Sequence, residues 1–398
     1  MITTNEAFRL IHSVVPILKT EPVSILESAG RVLAERVMAD RDLPPFHRVA
    51  MDGIAIQASQ FVNKNQAFKI ESVQAAGSPQ QVLHNIKNCI EVMTGSVLPV
   101  HTDAVIRYED LELKDNHAQI QLEKVVKGMN IHAQGLDTKR GDDLLKPGQK
   151  ISPAEIALLA SVGKNLVSVF AFPTTAVVST GNELVEIEEI PEMYQIRRSN
   201  TYALQAAMNE MGWKSASFHV ADDADLVLKN LREVLEKHDV VILTGGVSKG
   251  KFDFIPQALE GLGVRKIFHQ VSQRPGKPFW FGVSDDQRKI VFALPGNPVS
   301  TFLCFYKYIK PWMLKSMGVE CKVATARLSS NFNFAPSLTC FLQVKTELKD
   351  GQWWAQPHAG GGSGDFANLK DVDGFLELPL EKSSFQAGEV YPYIAFRM

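Results

Sequence analysis

The sequence predicts a multi-domain α/β protein centred on a doubly wound, mostly parallel sheet. Three observations predict it. The chain has 398 residues, more than one ordinary domain needs. Between residues 174 and 318, short apolar runs alternate with stretches of helical periodicity. Outside that segment the texture turns to short β-like runs broken by Gly, Pro, Asn and Asp. Strand–helix alternation of this kind places helices on both faces of a buried parallel sheet.

In the central segment, residues 175–178 form the first expected strand. A helix follows near 200–211, with Leu204, Ala207, Met208 and Met211 on one face. The second strand is expected at 215–220, and the next helix carries Val227, Leu231, Val234 and Leu235. Residues 240–243 read as a buried third strand. A short helix then uses Ile255, Ala258, Leu259 and Leu262. A fourth strand covers 290–294, and a last helix carries Val299, Phe302, Leu303 and Tyr306.

The flanks are predicted in the same way. Thr3 and Glu6 have capping-box spacing at the head of a helix over 3–15. A second helix is expected over about 24–39, ended by Pro44-Pro45. Residues 43–140 read as a β-rich insertion. Ser152-Pro153-Ala154-Glu155 opens another helix that Gly163 stops. After 319 a small β domain surrounds Gly360-Gly361-Gly362-Ser363-Gly364. The expected division is therefore 1–42 with 141–173 as a discontinuous helical or linker domain, 43–140 as the insertion, 174–318 as the α/β domain and 319–398 as the C-terminal β domain.

Composition narrows the function. A net charge of −2 gives no global basic field for nucleic acid or an anionic membrane. The N-terminus does not read as a signal peptide, and no run of about 18 apolar residues suggests a span. Cys89, Cys304, Cys321 and Cys340 lie far apart, which argues against a zinc site and fits a cytoplasmic setting. The scattered histidines show no metal-ligand spacing.

Open parallel sheets bind ligands beyond the carboxyl ends of their strands. Here those ends lead into Ser179-Thr180-Gly181-Asn182-Glu183, Ala221-Asp222-Asp223, Thr244-Gly245-Gly246-Val247-Ser248 with Asp253, and Pro295-Gly296-Asn297-Pro298. Glycines let backbone N–H groups approach an anion, and helix N-termini favour negative charge. The carboxylates would repel a phosphate unless a hard cation such as Mg2+ lay between them. Arg274-Pro275-Gly276-Lys277-Pro278 offers two cations on a stiffened turn, suited to an oxyanion. Singly, each piece has a plainer reading. Thr244-Gly245-Gly246 also makes a tight turn, Asp222-Asp223 a helix cap, and Gly360–Gly364 a linker.

Taken in order, these fragments carry a resemblance. Leu43-Pro44-Pro45-Phe46, Ala50-Met51-Asp52-Gly53, Met93-Thr94-Gly95 and Gly135-Leu136-Asp137 join the rim motifs above, together with Leu294-Pro295-Gly296-Asn297-Pro298-Val299-Ser300 and Gly362-Ser363-Gly364. The set resembles the MoeA-type molybdopterin molybdenumtransferases, the family that includes the gephyrin E domain. The resemblance implies four domains, with residues 174–318 as a molybdopterin-binding-like domain, and a homodimer. It implies insertion of molybdate into adenylated molybdopterin with release of AMP and dependence on Mg2+.

The implied catalytic positions are Asp52, Thr94, Asp137, Glu183, Asp222 and Asp253, with Glu183, Asp222 and Asp253 as the metal set. Substrate contacts are expected from Thr244, Gly245, Gly246, Ser248, Arg274, Lys277, Pro295, Gly296, Asn297, Pro298 and Ser363. Asp52 is expected to reach the α/β domain of a second copy. A separate molybdopterin adenylyltransferase is an implied partner. A scaffold role like that of the gephyrin E domain, or a pterin or nucleotide hydrolase, would be the alternatives, and tungstate could replace molybdate. Three departures stand out. Arg274 replaces a frequent lysine, Gln270 replaces a second one, and Cys340 replaces a frequent arginine.

Overall fold

A computed structural model describes residues 1–247 and 254–397. Ser248 and Asp253, two of the expected site residues, lie outside the described residues. The chain divides into two compact units. One comprises residues 1–34, 147–153 and 166–398, and the other 35–146 and 154–165.

The first unit holds the central sheet. Its strands are β1 (Thr175–Thr180), β2 (Ala216–Val220), β3 (Val240–Thr244), β4 (Val264–His269), β5 (Trp280–Ser284) and β6 (Ile290–Leu294), in the order β2-β1-β3-β6-β5-β4. The four strands expected from sequence pair in parallel, and β5 and β4 extend one side antiparallel. β1, β3 and β6 are buried along their whole length, as strands covered on both faces must be.

Alternate residues feed two cores, as the two-residue period of a strand requires. Val177, Ile242, Phe292 and Leu294 pack into one cluster, and Val178, Leu243, Val291 and Ala293 into the other. Helices α1 (Ser199–Asn209), α2 (Ala224–Lys237), α3 (Ile255–Gly261) and α4 (Pro298–Cys304) follow β1, β2, β3 and β6. α4 continues through a π-helical turn, Phe305–Ile309, into a further helix, Lys310–Ser316.

The N-terminal helix, Thr4–His12, has its expected capping box. Glu6 N–H donates to Thr3 Oγ1 at 3.2 Å, and Thr3 N–H to Glu6 Oε2 at 2.8 Å. The helix expected over 24–39 does not form. Residues Thr20–Ser24 are instead a strand paired with Leu166–Phe170, and the chain leaves it through one turn in which Ser28 Oγ donates to the Ile25 carbonyl at 2.6 Å. Gly30 then takes φ +79, which a helix cannot continue through. The apolar spacing at Val32, Leu33 and Val37 belongs to short extended pieces, with Val37–Met38 a strand.

The C-terminal part of this unit is a β domain. Thr339–Lys349, Gln352–Pro357, Ala324–Leu328, Val390–Ala395 and Gly374–Leu378 pair in that order, and the last pairs back with the first. The ring of five strands thus closes around Leu328, Leu342, Val344, Ala355, Leu376 and Tyr393.

The second unit carries a six-stranded sheet in which Gly53–Ile56 lies between Ala104–Arg107 and Cys89–Val92. Gly53 is required there, because a Cβ would fall 1.9 Å from the Ile106 carbonyl oxygen. No helix among the described residues is long and apolar enough to cross a membrane.

Candidate active site

The register of the central sheet decides where its chemistry gathers. Thr180 pairs with Val220, Ser179 with Thr244, and Thr244 with Leu294. The four parallel strands therefore end at one level, and the segments that follow them leave from a single rim. A cavity of about 960 Å3 opens there, lined by Glu183, Asp222, Thr244, Gly245, Gly246, Pro295, Gly296, Asn297 and Pro298.

Each turn has a local cause. Gly245 and Gly246 have φ +98 and +67, and the Gly245 N–H donates to the Leu294 carbonyl at 3.2 Å, tying β3 to β6. Pro298 opens α4, where its missing N–H costs no helical bond. Of the paired aspartates, Asp223 is the cap of α2 and accepts from the N–H groups of Asp225 and Leu226. That leaves Asp222 at the cavity, where its N–H donates to Asn182 Oδ1 at 3.1 Å.

A second cavity, about 520 Å3, adjoins the first and shares Pro278, Pro295 and Asn297 with it. Arg274, Lys277, Ser300, Cys340 and Ser363 line it. Asn297 Nδ2 donates to Ser363 Oγ at 2.7 Å, so the last β domain is tied to the rim of the sheet. Burial pushes the Cys340 thiol up to about 12, against the pull of Arg274, so it stays neutral at ordinary pH.

Asp52, Thr94 and Asp137 belong to the other unit. Thr94 N–H donates to Asp52 Oδ1 at 2.6 Å. That bond, with a further one from the Thr94 side chain, holds the exposed Asp52 carboxyl below its usual range. Asp137 lies on an exposed turn, where its N–H donates to the Leu43 carbonyl at 2.9 Å.

The rim also holds residues that sequence reasoning misses. Asn200, on the first turn of α1, donates from Nδ2 to Thr244 Oγ1 at 2.9 Å and to the Gly296 carbonyl at 2.7 Å. It fastens the two glycine turns to each other. Arg198 is buried at the same cavity, donating to Ser179 Oγ at 3.3 Å and pairing with Glu186. It is a cation in the larger cavity, where the sequence pointed only to the Arg274–Lys277 turn. Their signal in the sequence was faint: Arg198-Ser199-Asn200 is a polar run at a helix start, which normally reads as capping.

Among the described residues no three His, Cys, Asp or Glu side chains cluster as a metal site. Glu183 and Asp222 do line one cavity with hard oxygen donors. Such a pair suits Mg2+, which commonly takes one or two carboxylates and completes its shell with phosphate oxygens and water.

The chain is similar to known proteins along nearly its whole length. Residues 2–163 match the model of the MoeA N-terminal region (domain I and II). Residues 176–315 match a probable molybdopterin binding domain, and 325–396 the MoeA C-terminal region (domain IV). A molybdopterin molybdenumtransferase of Synechocystis is 37% identical over 100% of both chains. One from Staphylococcus epidermidis is 31% identical over 99% of this chain and 95% of its own. A crystal structure of the molybdopterin biosynthesis MoeA protein from Pyrococcus horikoshii superposes with a TM-score of 0.85 at 26% identity, covering 100% of both chains. Matched from end to end in sequence and in fold, the chain belongs to the MoeA family of molybdopterin molybdenumtransferases.

Proposed function

We propose that this enzyme acts in molybdenum cofactor biosynthesis, inserting molybdate into adenylated molybdopterin with release of AMP and with Mg2+ as cofactor. The observation that supports this most is the pair of joined cavities. The larger one has glycine turns and carboxylates suited to a pterin and a metal-bridged pyrophosphate. The smaller one has Arg274, Lys277 and Ser363, suited to a tetrahedral oxyanion.

In this reading the backbone of Thr244–Gly246 and Pro295–Asn297 holds the ligand against the sheet. Glu183 and Asp222, with Asp253, would hold Mg2+. The ion, when bound, neutralises charge that develops as the phosphoanhydride breaks. Arg274, Lys277 and Ser363 hold molybdate beside the dithiolene sulfurs that receive the metal. Asp52 and Asp137 orient ligands or relay protons, Asp52 from a second copy in a homodimer. Thr94 keeps Asp52 ionised through the hydrogen bond described above.

The four free cysteines support a reducing, cytoplasmic setting. The substrate would come from a separate adenylylating enzyme. A hydrolase built on the α/β domain alone is not favoured, since the relatives match over the whole chain.

The test is incubation with adenylated molybdopterin, Mg2+ and molybdate, following AMP and active cofactor together. Both products should appear only when molybdate and Mg2+ are present, and Asp253→Asn should abolish them in a folded protein. AMP release from adenylated molybdopterin that proceeds equally well without molybdate would overturn the reading.

A further inference from the structure

Beneath the turn that carries Arg274 and Lys277 runs a buried polar chain with no part in the chemistry above. Gln273 and Tyr308 are both fully buried. Gln273 Nε2 donates to the Gly276 carbonyl at 3.2 Å and lies 3.6 Å from Cys304 Sγ. Its Oε1 accepts from the Tyr308 hydroxyl.

The direction of every bond is forced. A carbonyl oxygen only accepts, so the amide must turn its NH2 to Gly276. Its oxygen then faces Tyr308, which must donate. Rotating the amide would leave buried groups unsatisfied, at a cost larger than the bonds themselves contribute. The chain is therefore a one-state device.

Its position is telling. Gln273 immediately precedes Arg274, and Gly276 immediately precedes Lys277, so the Gln273–Gly276 bond closes the base of the loop between the two cations. Gly276 is buried at φ +91, and a Cβ there would sit 2.6 Å from Gln273 Nε2. The outer sides of the loop are held by the Val271 N–H bond to the Lys277 carbonyl, 3.0 Å, and by parallel pairing of Gln273 and Arg274 with Thr339 and Cys340. Tyr308 comes from the π-helical turn Phe305–Ile309, a local widening that recurs at functional sites. Both cations are exposed at the cavity while their support is dry.

We propose that Gln273 and Tyr308 are positioning residues that fix the spacing of Arg274 and Lys277 and so set the affinity of the smaller cavity for a tetrahedral oxyanion. The proposal rests on the reading of that cavity as the molybdate site. Preorganised cations bind more tightly because the cost of ordering them is met during folding.

The experiment is calorimetric titration of the full-length protein with sodium molybdate, beside thermal unfolding. Tyr308→Phe removes one hydroxyl and keeps the ring. Gln273→Met keeps the length and removes both polar ends. Each should weaken molybdate binding roughly tenfold, and the double variant no further, since both break one chain. Binding of adenylated molybdopterin should stay within about twofold. Wild-type molybdate affinity in Tyr308→Phe, with or without a lower Tm, would overturn the proposal by leaving the pair a purely structural role. Arg274→Ala and Lys277→Ala serve as the separate check. If neither weakens molybdate binding, the oxyanion reading of the cavity itself fails and takes this proposal with it.

Discussion

Asp52 illustrates how much a single neighbour can set. Its carboxylate is exposed, yet the Thr94 backbone N–H and side chain bond to it and lower its pKa. The sign follows from that direction. Whatever the contact contributes to stability is complete above the unfolded value, about 3.9. It is lost only as pH falls through the still lower folded value. Asp52 should therefore stay ionised throughout the range in which the enzyme works. An NMR titration of the Asp52 carboxyl checks this: a midpoint below that of an unstructured aspartate is expected, and one at or above it would contradict the assignment. Asn200 and Arg198 show the converse. Their importance lies wholly in what they touch across the rim, and no pattern along the chain announces it.

The strand-to-helix turns are the elements on which the site depends. At the end of β3, a Cβ on Gly245 would lie 2.8 Å from the Thr180 carbonyl oxygen and 2.9 Å from Thr180 Oγ1. Gly245→Ala should therefore lower stability by about 1–2 kcal/mol from the positive φ alone. It should also raise the KM for adenylated molybdopterin about tenfold or more, because the turn must shift away from Thr180 and its backbone N–H groups shift with it. Thermal unfolding and steady-state kinetics read the two effects separately, and an unchanged KM would remove this turn from the ligand site.

These elements were also the most legible in the sequence. Val240–Thr244 and Ile290–Leu294 are unbroken apolar runs ended by small residues, a pattern that a buried parallel strand imposes. Strand β4 was not legible, since Val264-Arg265-Lys266-Ile267-Phe268-His269 mixes charge with apolar residues at an antiparallel flank. The helix expected over 24–39 failed because the spacing of Val32, Leu33 and Val37 satisfies a helical template while Gly30 and long-range strand pairing decide the backbone. Tertiary pairing outweighed local period.

At the scale of the whole molecule, the expected site residues divide between the two compact units. Glu183, Asp222 and the glycine turns lie in one, and Asp52, Thr94 and Asp137 in the other. If a homodimer completes each site by bringing Asp52 of one copy to the α/β cavity of the next, inactive variants should complement. Asp52→Asn and Asp222→Asn, each inactive alone, should recover about a quarter of wild-type turnover after subunit exchange at equal amounts. Half of the dimers are then mixed, and each mixed dimer has one intact site. No recovery in verified mixed dimers would place both carboxylates in the same copy. What the sequence could not convey is the joining of the two cavities. That depends on Asn297 meeting Ser363 across 66 residues of chain.

The most direct test of the central claim is a crystal structure with adenylated molybdopterin bound. The pyrophosphate should lie at the carboxyl-end rim of the central sheet, within hydrogen-bonding reach of the Thr244–Gly246 and Pro295–Asn297 backbone and beside Asp222. A ligand seated elsewhere, with that rim filled only by solvent, would contradict it.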